Sequence, residues 1–154
     1  MQGQWYSFCK RRGAAGNPVC CSAAVATLKV IEEENLIEHA REMGEYVKER
    51  LNLMKDKYTL IGDVRGLGLS IGVDLVKDRA AKERNKEAAS KICYRCWEKG
   101  LILTFFANNV LRIQPSLIIK KEELDIAIDI IEGAINDFLA GDIPDEILRI
   151  AKGW

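Results

Sequence analysis

Arg112 is the side chain whose setting could bind a ligand most directly. It lies between Leu111 and Ile113 in a short apolar run that is typical of a buried strand. In one interpretation the guanidinium is an ordinary surface group on an edge strand. In the other, its planar fork is aimed at a carboxylate, which it can bind through two parallel hydrogen bonds. The pattern by itself leaves both interpretations open.

Cys93 and Cys96 have the C-x-x-C spacing that occurs in redox and zinc sites. They lie inside a predicted helix whose apolar stripe includes both, whereas a redox motif places its first cysteine at a helix start, where the thiol pKa falls. Zinc would need two further ligands, and the remaining candidates are not suitably paired: Cys9, Cys20, Cys21 and His39. We therefore expect core cysteines, free thiols in a reducing compartment and no metal site.

Gly66, Gly68 and Gly72 resemble a dinucleotide-binding loop at first sight. Their spacing is G-x-G-x-x-x-G, however, and a strand pattern follows it, so no helix N-terminus would point at a phosphate. The chain has one histidine and no serine or cysteine in a recognisable nucleophile setting. We predict no catalytic residue in this chain.

The charge and composition exclude several classes of partner. Lys and Arg total 23, Asp and Glu also total 23, and hydrophobic residues make up 48%. A nucleic-acid-binding protein would need a basic excess, and so would a polybasic membrane-surface protein. The sequence contains no apolar run long enough for a spanning helix and no recognisable secretory leader. We expect a soluble cytoplasmic protein that binds neither nucleic acid nor membrane.

Two hydrophobic periods alternate along the chain and predict an α+β fold. The predicted helices span residues 18–34, 36–54, 81–99 and 121–139, and the strands span 69–75, 101–106 and 110–113. Asn17 and Pro18 begin the first helix as its cap and its first residue. The expected fold is a small three- to four-stranded sheet with helices on one face. An irregular segment over residues 1–15 precedes the domain at 16–140, and a tail over 141–154 follows it.

One face of the predicted sheet has no obvious cover. Gly72 lies on the small-sided face of the 69–75 strand, and Val110, Arg112 and Gln114 share one face of the 110–113 strand. The helices can cover only the opposite, apolar face. The small-sided face is therefore either exposed to solvent or in contact with another protein layer, and glycines at alternate positions favour the second alternative.

Three segments, taken in order, resemble a known family. They are GNP at 16–18, IGDVRGLGL at 61–69 with GVDL at 72–75, and GLIL at 100–103 with NVLRIQPSL at 109–117 and EELD at 122–125. In this order and spacing they resemble the C-terminal part of the class III aminotransferases. These pyridoxal 5'-phosphate enzymes include ornithine, acetylornithine and 4-aminobutyrate aminotransferases. The resemblance covers about residues 16–140.

The resemblance implies a fold and a role for particular residues. The fold would be the small domain of a fold-type-I enzyme, preceded by a long connecting helix. The family's arginine that matches Arg112 binds the substrate carboxylate in the cleft between domains, so the intact enzyme would act on a small amino acid. Gly16 and Asn17 would lie near the turn on the phosphate side of the cofactor. The partner would be a large aminotransferase domain, in an enzyme that is a dimer.

The departures from the family concern the cofactor. The family's Schiff-base lysine, its pyridinium-pairing aspartate and its phosphate-binding glycine loop belong to an upstream large domain. Gly13 occupies the position where family members usually carry a cofactor-contacting threonine, and residues 1–15 do not resemble the family. We therefore expect the chain alone to bind no pyridoxal phosphate and to catalyse no transamination.

Three hypotheses about the chain follow from these expectations. The first is a C-terminal fragment of a class III aminotransferase, from a split or truncated gene or a cut piece. The second is a non-catalytic assembly module that docks onto a separately encoded large domain. The third is a domain that associates with a second copy of itself through its uncovered face.

Overall fold

The computed structural model describes the backbone of residues 16–150 and the side chains of residues 16–149. The irregular segment predicted for residues 1–15, Gly13 included, and the end of the predicted tail, residues 151–154, lie outside the described residues. The chain divides into two compact units between Ile37 and Glu38.

The first unit contains helix α1, Pro18–Glu33. The predicted start of this helix is confirmed. The Asn17 Oδ1 atom accepts hydrogen bonds from the backbone N–H groups of Val19 and Cys20 at 3.0 and 3.4 Å, and Pro18 takes the first helical position. Within the described part of the chain, none of the residues of α1 is buried.

The second unit combines a sheet with helices, as predicted, and all strand pairs of the sheet are antiparallel in the described residues. Its elements are α2 (Leu36–Lys57, which begins just before the boundary), β1 (Ile61–Leu67), β2 (Ser70–Asp78), β3 (Glu83–Arg84), α3 (Lys86–Glu98), β4 (Thr104–Phe106), β5 (Val110–Ile113), α4 (Lys121–Ala140) and α5 (Ile147–Ile150). The strand order is β1-β2-β5-β4, and the two-residue β3 pairs with the far end of β2. The α+β class is therefore confirmed.

One hydrophobic core joins the sheet to the helices. Val47 and Leu51 of α2, Ile92 of α3 and Ile135 of α4 are fully buried, and they pack in the same cluster as the apolar face of the sheet. The sheet contributes Ile61, Ile71, Val73, Leu75, Phe105 and Leu111. Spacings of three and four in the helices and of two in the strands place these side chains on single faces.

Cys93 and Cys96 belong to this core, as predicted. Both thiols are free and buried. Burial raises the pKa of each thiol to about 12, because a thiolate is poorly solvated among apolar side chains. A redox or metal-binding thiol needs the opposite shift, so the C-x-x-C spacing here is a packing feature.

Two predicted boundaries in the middle of the chain were wrong. The helix expected from about residue 81 begins at Lys86, because the side chain of Asn85 caps it at the N–H of Ala88, 3.0 Å away. The residues just before the cap form β3 instead. The strand expected over 101–106 forms only at Thr104–Phe106. β1, for which we gave no residue range, is a full strand paired with β2.

Helix α2 crosses close to the turn between β1 and β2. A Cβ atom on Gly44 would lie 2.3 Å from the carbonyl oxygen of Gly68, so only glycine fits at position 44 without a shift of the backbone. Gly68 itself has a φ of 53°, which glycine adopts without steric cost. Because Gly44 has no side chain, the backbone of α2 packs directly against the turn of the β1–β2 hairpin.

No helix in the described range is both long and apolar enough to cross a membrane. The same residues contain no group of three or more His, Cys, Asp or Glu side chains arranged to hold a metal ion.

Candidate functional site

Arg112 lies in a row of four residues that runs across the sheet. On β5 it pairs with Gly72 of β2 on one side and with Thr104 of β4 on the other, and Gly72 pairs with Arg65 of β1. Residues paired in this way project from the same face of a sheet. This row is on the face opposite the core, and both arginines are exposed. Gly72 has no side chain between them, and a Cβ atom added there would meet Val110 Cγ1 at 3.0 Å.

Arg65 is neutralised by carboxylates of the neighbouring row. Its Nη1 atom donates a hydrogen bond to Asp63 Oδ2 at 3.0 Å and another to Asp74 Oδ2. The hydrogen bond with Asp74 is the largest cause that raises the pKa of Arg65, and the hydrogen bond from Arg65 lowers the pKa of Asp63. The guanidinium of Arg65 is therefore already paired with carboxylates of this chain.

Arg112 has a different environment. No carboxylate of the described residues lies within 4 Å of its guanidinium, and its Nη2 atom donates to the neutral side-chain oxygen Oε1 of Gln114. A cavity of about 380 Å³ opens beside it, with a mainly apolar lining that includes Ile102, Ile113 and Pro115. The arrangement offers an anionic ligand an exposed cation that is paired with no carboxylate of residues 16–149.

Comparison with known proteins identifies the family. The sequence profile described as aminotransferase class-III matches residues 13–135 of this chain. The chain belongs to the class-III aminotransferase family.

The relatives of this chain include proteins named as racemases. The leucine/methionine racemase of Thermococcus litoralis is 52% identical over 139 residues, which are 90% of this chain and 31% of that protein. The alanine/serine racemase of Pyrococcus horikoshii is 46% identical over 136 residues, 87% of this chain and 28% of that protein. The chain thus spans about a third of the length of the curated relatives that it matches.

Solved structures agree with the family assignment. An aminotransferase of Bacillus anthracis superposes with a TM-score of 0.75 at 36% sequence identity, over 80% of this chain and 29% of that chain. The expected fold, that of the fold-type-I aminotransferases, is confirmed by this likeness.

The family implies pyridoxal 5'-phosphate, and the described residues do not form a site for it. The cofactor needs a lysine amine that is free of ion pairs and shielded from water. Lys91 is the buried lysine of the described range, but its amine donates to Glu87 at 2.8 Å and to Asp145 at 2.6 Å, and these hydrogen bonds raise its pKa. Lys82 lines the larger cavity on the uncovered face, of about 620 Å³, but it is exposed.

Gly16 and Asn17, which the resemblance associates with the cofactor, lie in the first unit. Gly16 has a φ of 83°, and the Asn17 side chain accepts from the first N–H groups of α1. Those donors are therefore already used within the helix. Arg112 lies in the second unit. The cofactor role of Gly16 and Asn17 stays a prediction.

Two residues near Arg112 were given no role in the sequence analysis. Asn109 is buried, and its Nδ2 donates to the carbonyl of Leu75 at 3.0 Å and to Asp74 Oδ1 at 3.3 Å, which ties the β4–β5 turn to β2. Gln114 contacts Arg112 directly. The alternation of β5 already placed Gln114 on the face of Arg112, and that was the available signal.

Proposed function

We propose that this chain is the C-terminal, carboxylate-binding part of a pyridoxal-phosphate-dependent enzyme that acts on amino acids. The exposed guanidinium of Arg112, which has no carboxylate partner among the described residues, is the observation that carries the proposal. Its planar fork would bind the substrate carboxylate through paired hydrogen bonds and so fix the orientation of the substrate. The reacting groups would come from the rest of the protein.

Neutral amino acids are the substrate class that we favour for the whole protein. The relatives described above are named as racemases of leucine and methionine and of alanine and serine. We propose amino-acid racemisation as the first candidate reaction. Transamination is the second candidate, and the likeness to a solved aminotransferase supports it. The ornithine or 4-aminobutyrate type rests on the resemblance of the motifs alone.

The two reactions are distinguished by their products. The chain is combined with the large domain of the enzyme, and the pair is incubated with L-leucine, with and without a 2-oxo acid. A racemase produces D-leucine without any acceptor. A transaminase produces the oxo acid of leucine only when the acceptor is present. Formation of neither product from any amino donor tested contradicts the proposal.

Substitution of Arg112 tests its role in the same pair. We expect Arg112→Ala to raise the KM for the amino acid by about a hundredfold, because it removes a charge-assisted pair of hydrogen bonds. Arg41→Ala, on the exposed surface of α2, is the matched control and should leave the KM unchanged. An unchanged KM in the Arg112 variant would show that the carboxylate binds elsewhere.

Alone, we propose, the chain binds no pyridoxal phosphate and is inactive. It would work by joining a large aminotransferase domain, or a second copy of itself, in the cytoplasm, where free cysteines stay reduced. The test is incubation with pyridoxal phosphate, reduction with borohydride and mass spectrometry of the digested chain. We expect only substoichiometric labelling, spread over surface lysines. Stoichiometric labelling of one lysine would show that the chain alone binds pyridoxal phosphate and would contradict the proposal.

A further inference from the structure

The spacing of Gln114 and Arg112, together with Pro115, favours contact between their side chains. Arg112 lies in β5 and Gln114 is the first residue after the strand; with one residue between them, extended backbone directs both side chains to the same side. Pro115 follows immediately, and a proline disfavours helical backbone in the residue before it. Gln114 is thus held extended just beyond the strand, with its side chain beside the guanidinium.

The two arginines of the row, Arg112 and Arg65, donate to hydrogen-bond acceptors that differ in charge. Arg65 donates to two carboxylates, Asp63 and Asp74, which cancel its charge. Arg112 donates to an amide oxygen, which carries no net charge. A guanidinium has five N–H donors, so one bond to Gln114 leaves the others available.

We propose that Gln114 is a positioning residue for Arg112. Its amide oxygen orients the guanidinium without neutralising it, so that Arg112 keeps both its charge and its remaining donors for the substrate carboxylate. This inference rests on the proposed function of Arg112 as the carboxylate-binding residue. A glutamate at position 114 would orient the guanidinium equally well but would turn Arg112 into a second neutralised arginine, like Arg65.

The test uses the full chain and two variants of similar side-chain size, Gln114→Met and Gln114→Glu. Side-chain nitrogen NMR measures the rotation of the Arg112 guanidinium, with Arg112→Lys used to assign its signals. We expect slow rotation in the wild type and in Gln114→Glu, and fast rotation in Gln114→Met. A structural role that did not involve the guanidinium would leave this rotation unchanged.

Titration with acetate as a carboxylate probe supplies the second measurement. We expect acetate to shift the Arg112 signals, with binding about threefold weaker in Gln114→Met and about tenfold weaker in Gln114→Glu. Two results would overturn the inference even if Arg112 binds acetate. One is that the guanidinium rotates equally fast in the wild type and in Gln114→Met. The other is that acetate binds equally well to the wild type and to Gln114→Glu. If acetate shifts no Arg112 signal in the wild type, the proposed function fails, and the inference fails with it.

Discussion

Arg65 and Arg112 show how neighbouring side chains decide what one residue type can do. They project from the same face of the sheet on either side of Gly72, and both are exposed. Two carboxylates hold Arg65, whereas a neutral amide holds Arg112. Only the second can attract an anion with its full charge, since a paired guanidinium would first have to give up its partners.

The four cysteines of the described range should differ sharply in reactivity. Cys20 and Cys21 are exposed on α1, whereas the buried thiols of Cys93 and Cys96 have a pKa of about 12. At pH 8 only about one in ten thousand of such buried thiols is ionised, and the thiolate is the reactive form. We expect iodoacetamide to label Cys20 and Cys21 in the folded chain and the other two only in denaturant.

Peptide mass spectrometry after timed labelling measures this difference. Cys93→Ala is a suitable control, because it removes one slow site and should leave the rates at Cys20 and Cys21 unchanged. Labelling of Cys96 in the folded chain as fast as that of Cys20 would contradict the core assignment.

Among the secondary structure elements, the two helices that contain interior glycines should respond to alanine in opposite directions. In α2, a Cβ at Gly44 would meet the backbone of Gly68 at 2.3 Å, and neither backbone can move cheaply. We expect Gly44→Ala to lower the free energy of unfolding by about 1–3 kcal/mol, despite the better helix propensity of alanine.

Gly133 of α4 provides the matched substitution. A Cβ atom added there would have Lys99 Nζ, the end of a flexible side chain, as its nearest neighbour at 3.2 Å. We expect Gly133→Ala to raise the free energy of unfolding by roughly 0.5–1 kcal/mol, because alanine restricts the unfolded chain. Urea denaturation followed by circular dichroism measures both variants. A stability gain in the α2 variant would mean that the helix does not lie so close to the hairpin.

Elements with local end signals could be predicted from the sequence, and those fixed by tertiary pairing could not. The start of α1 at Asn17 was predicted correctly, because the capping side chain is adjacent to the helix in the sequence. The predicted end at residue 139 lies one residue before Ala140, after which the left-handed Gly141 ends α4. α3 was placed too early, since alanines at 80 and 81 favour a helix, whereas pairing with β2 makes the next residues a strand.

β1 was given no range for a different reason. A bulge between Ile61 and Asp63 interrupts its alternation, and the charged Asp63 and Arg65 face the uncovered side, so the strand lacks a continuous apolar pattern. The role of Arg112 came from the family motif. Its contact with Gln114 depends on side-chain conformation, which alternation alone does not give.

At the scale of the whole molecule, acid should destabilise the second unit through Glu132 of α4. Lys57 Nζ and the Tyr58 hydroxyl donate to Glu132 Oε1 at 2.7 and 2.9 Å, which joins the end of α2 to α4. The hydrogen bond from Lys57, followed by that from Tyr58, lowers the pKa of Glu132 below its ordinary value of 4.5. Its stabilising contribution is therefore complete above pH 4.5 and is lost as the pH falls through the lower, folded-state pKa.

Glu132→Gln should consequently lower the free energy of unfolding at pH 7 and reduce its dependence on pH in the acid range. Denaturation curves from pH 7 down to pH 3 measure this effect. Glu49→Gln, at an exposed position of α2 with no ion pair among the described residues, is the control. If the free energy of unfolding depends equally on pH in the wild type and in the Glu132 variant, the Glu132 carboxylate does not contribute to stability in this way.

The central pairing of β2 with β5 has a consequence for folding kinetics. The chain between these strands includes β3, α3 and β4, so closing this pair costs more entropy than forming the β1–β2 hairpin. The hairpin, in which Arg65 meets Asp74, can form early from residues close in sequence. Arg112 reaches its place beside Gly72 only when the distant strand docks. The surface around Arg112 is therefore completed late, and acetate binding would report the last stage of folding.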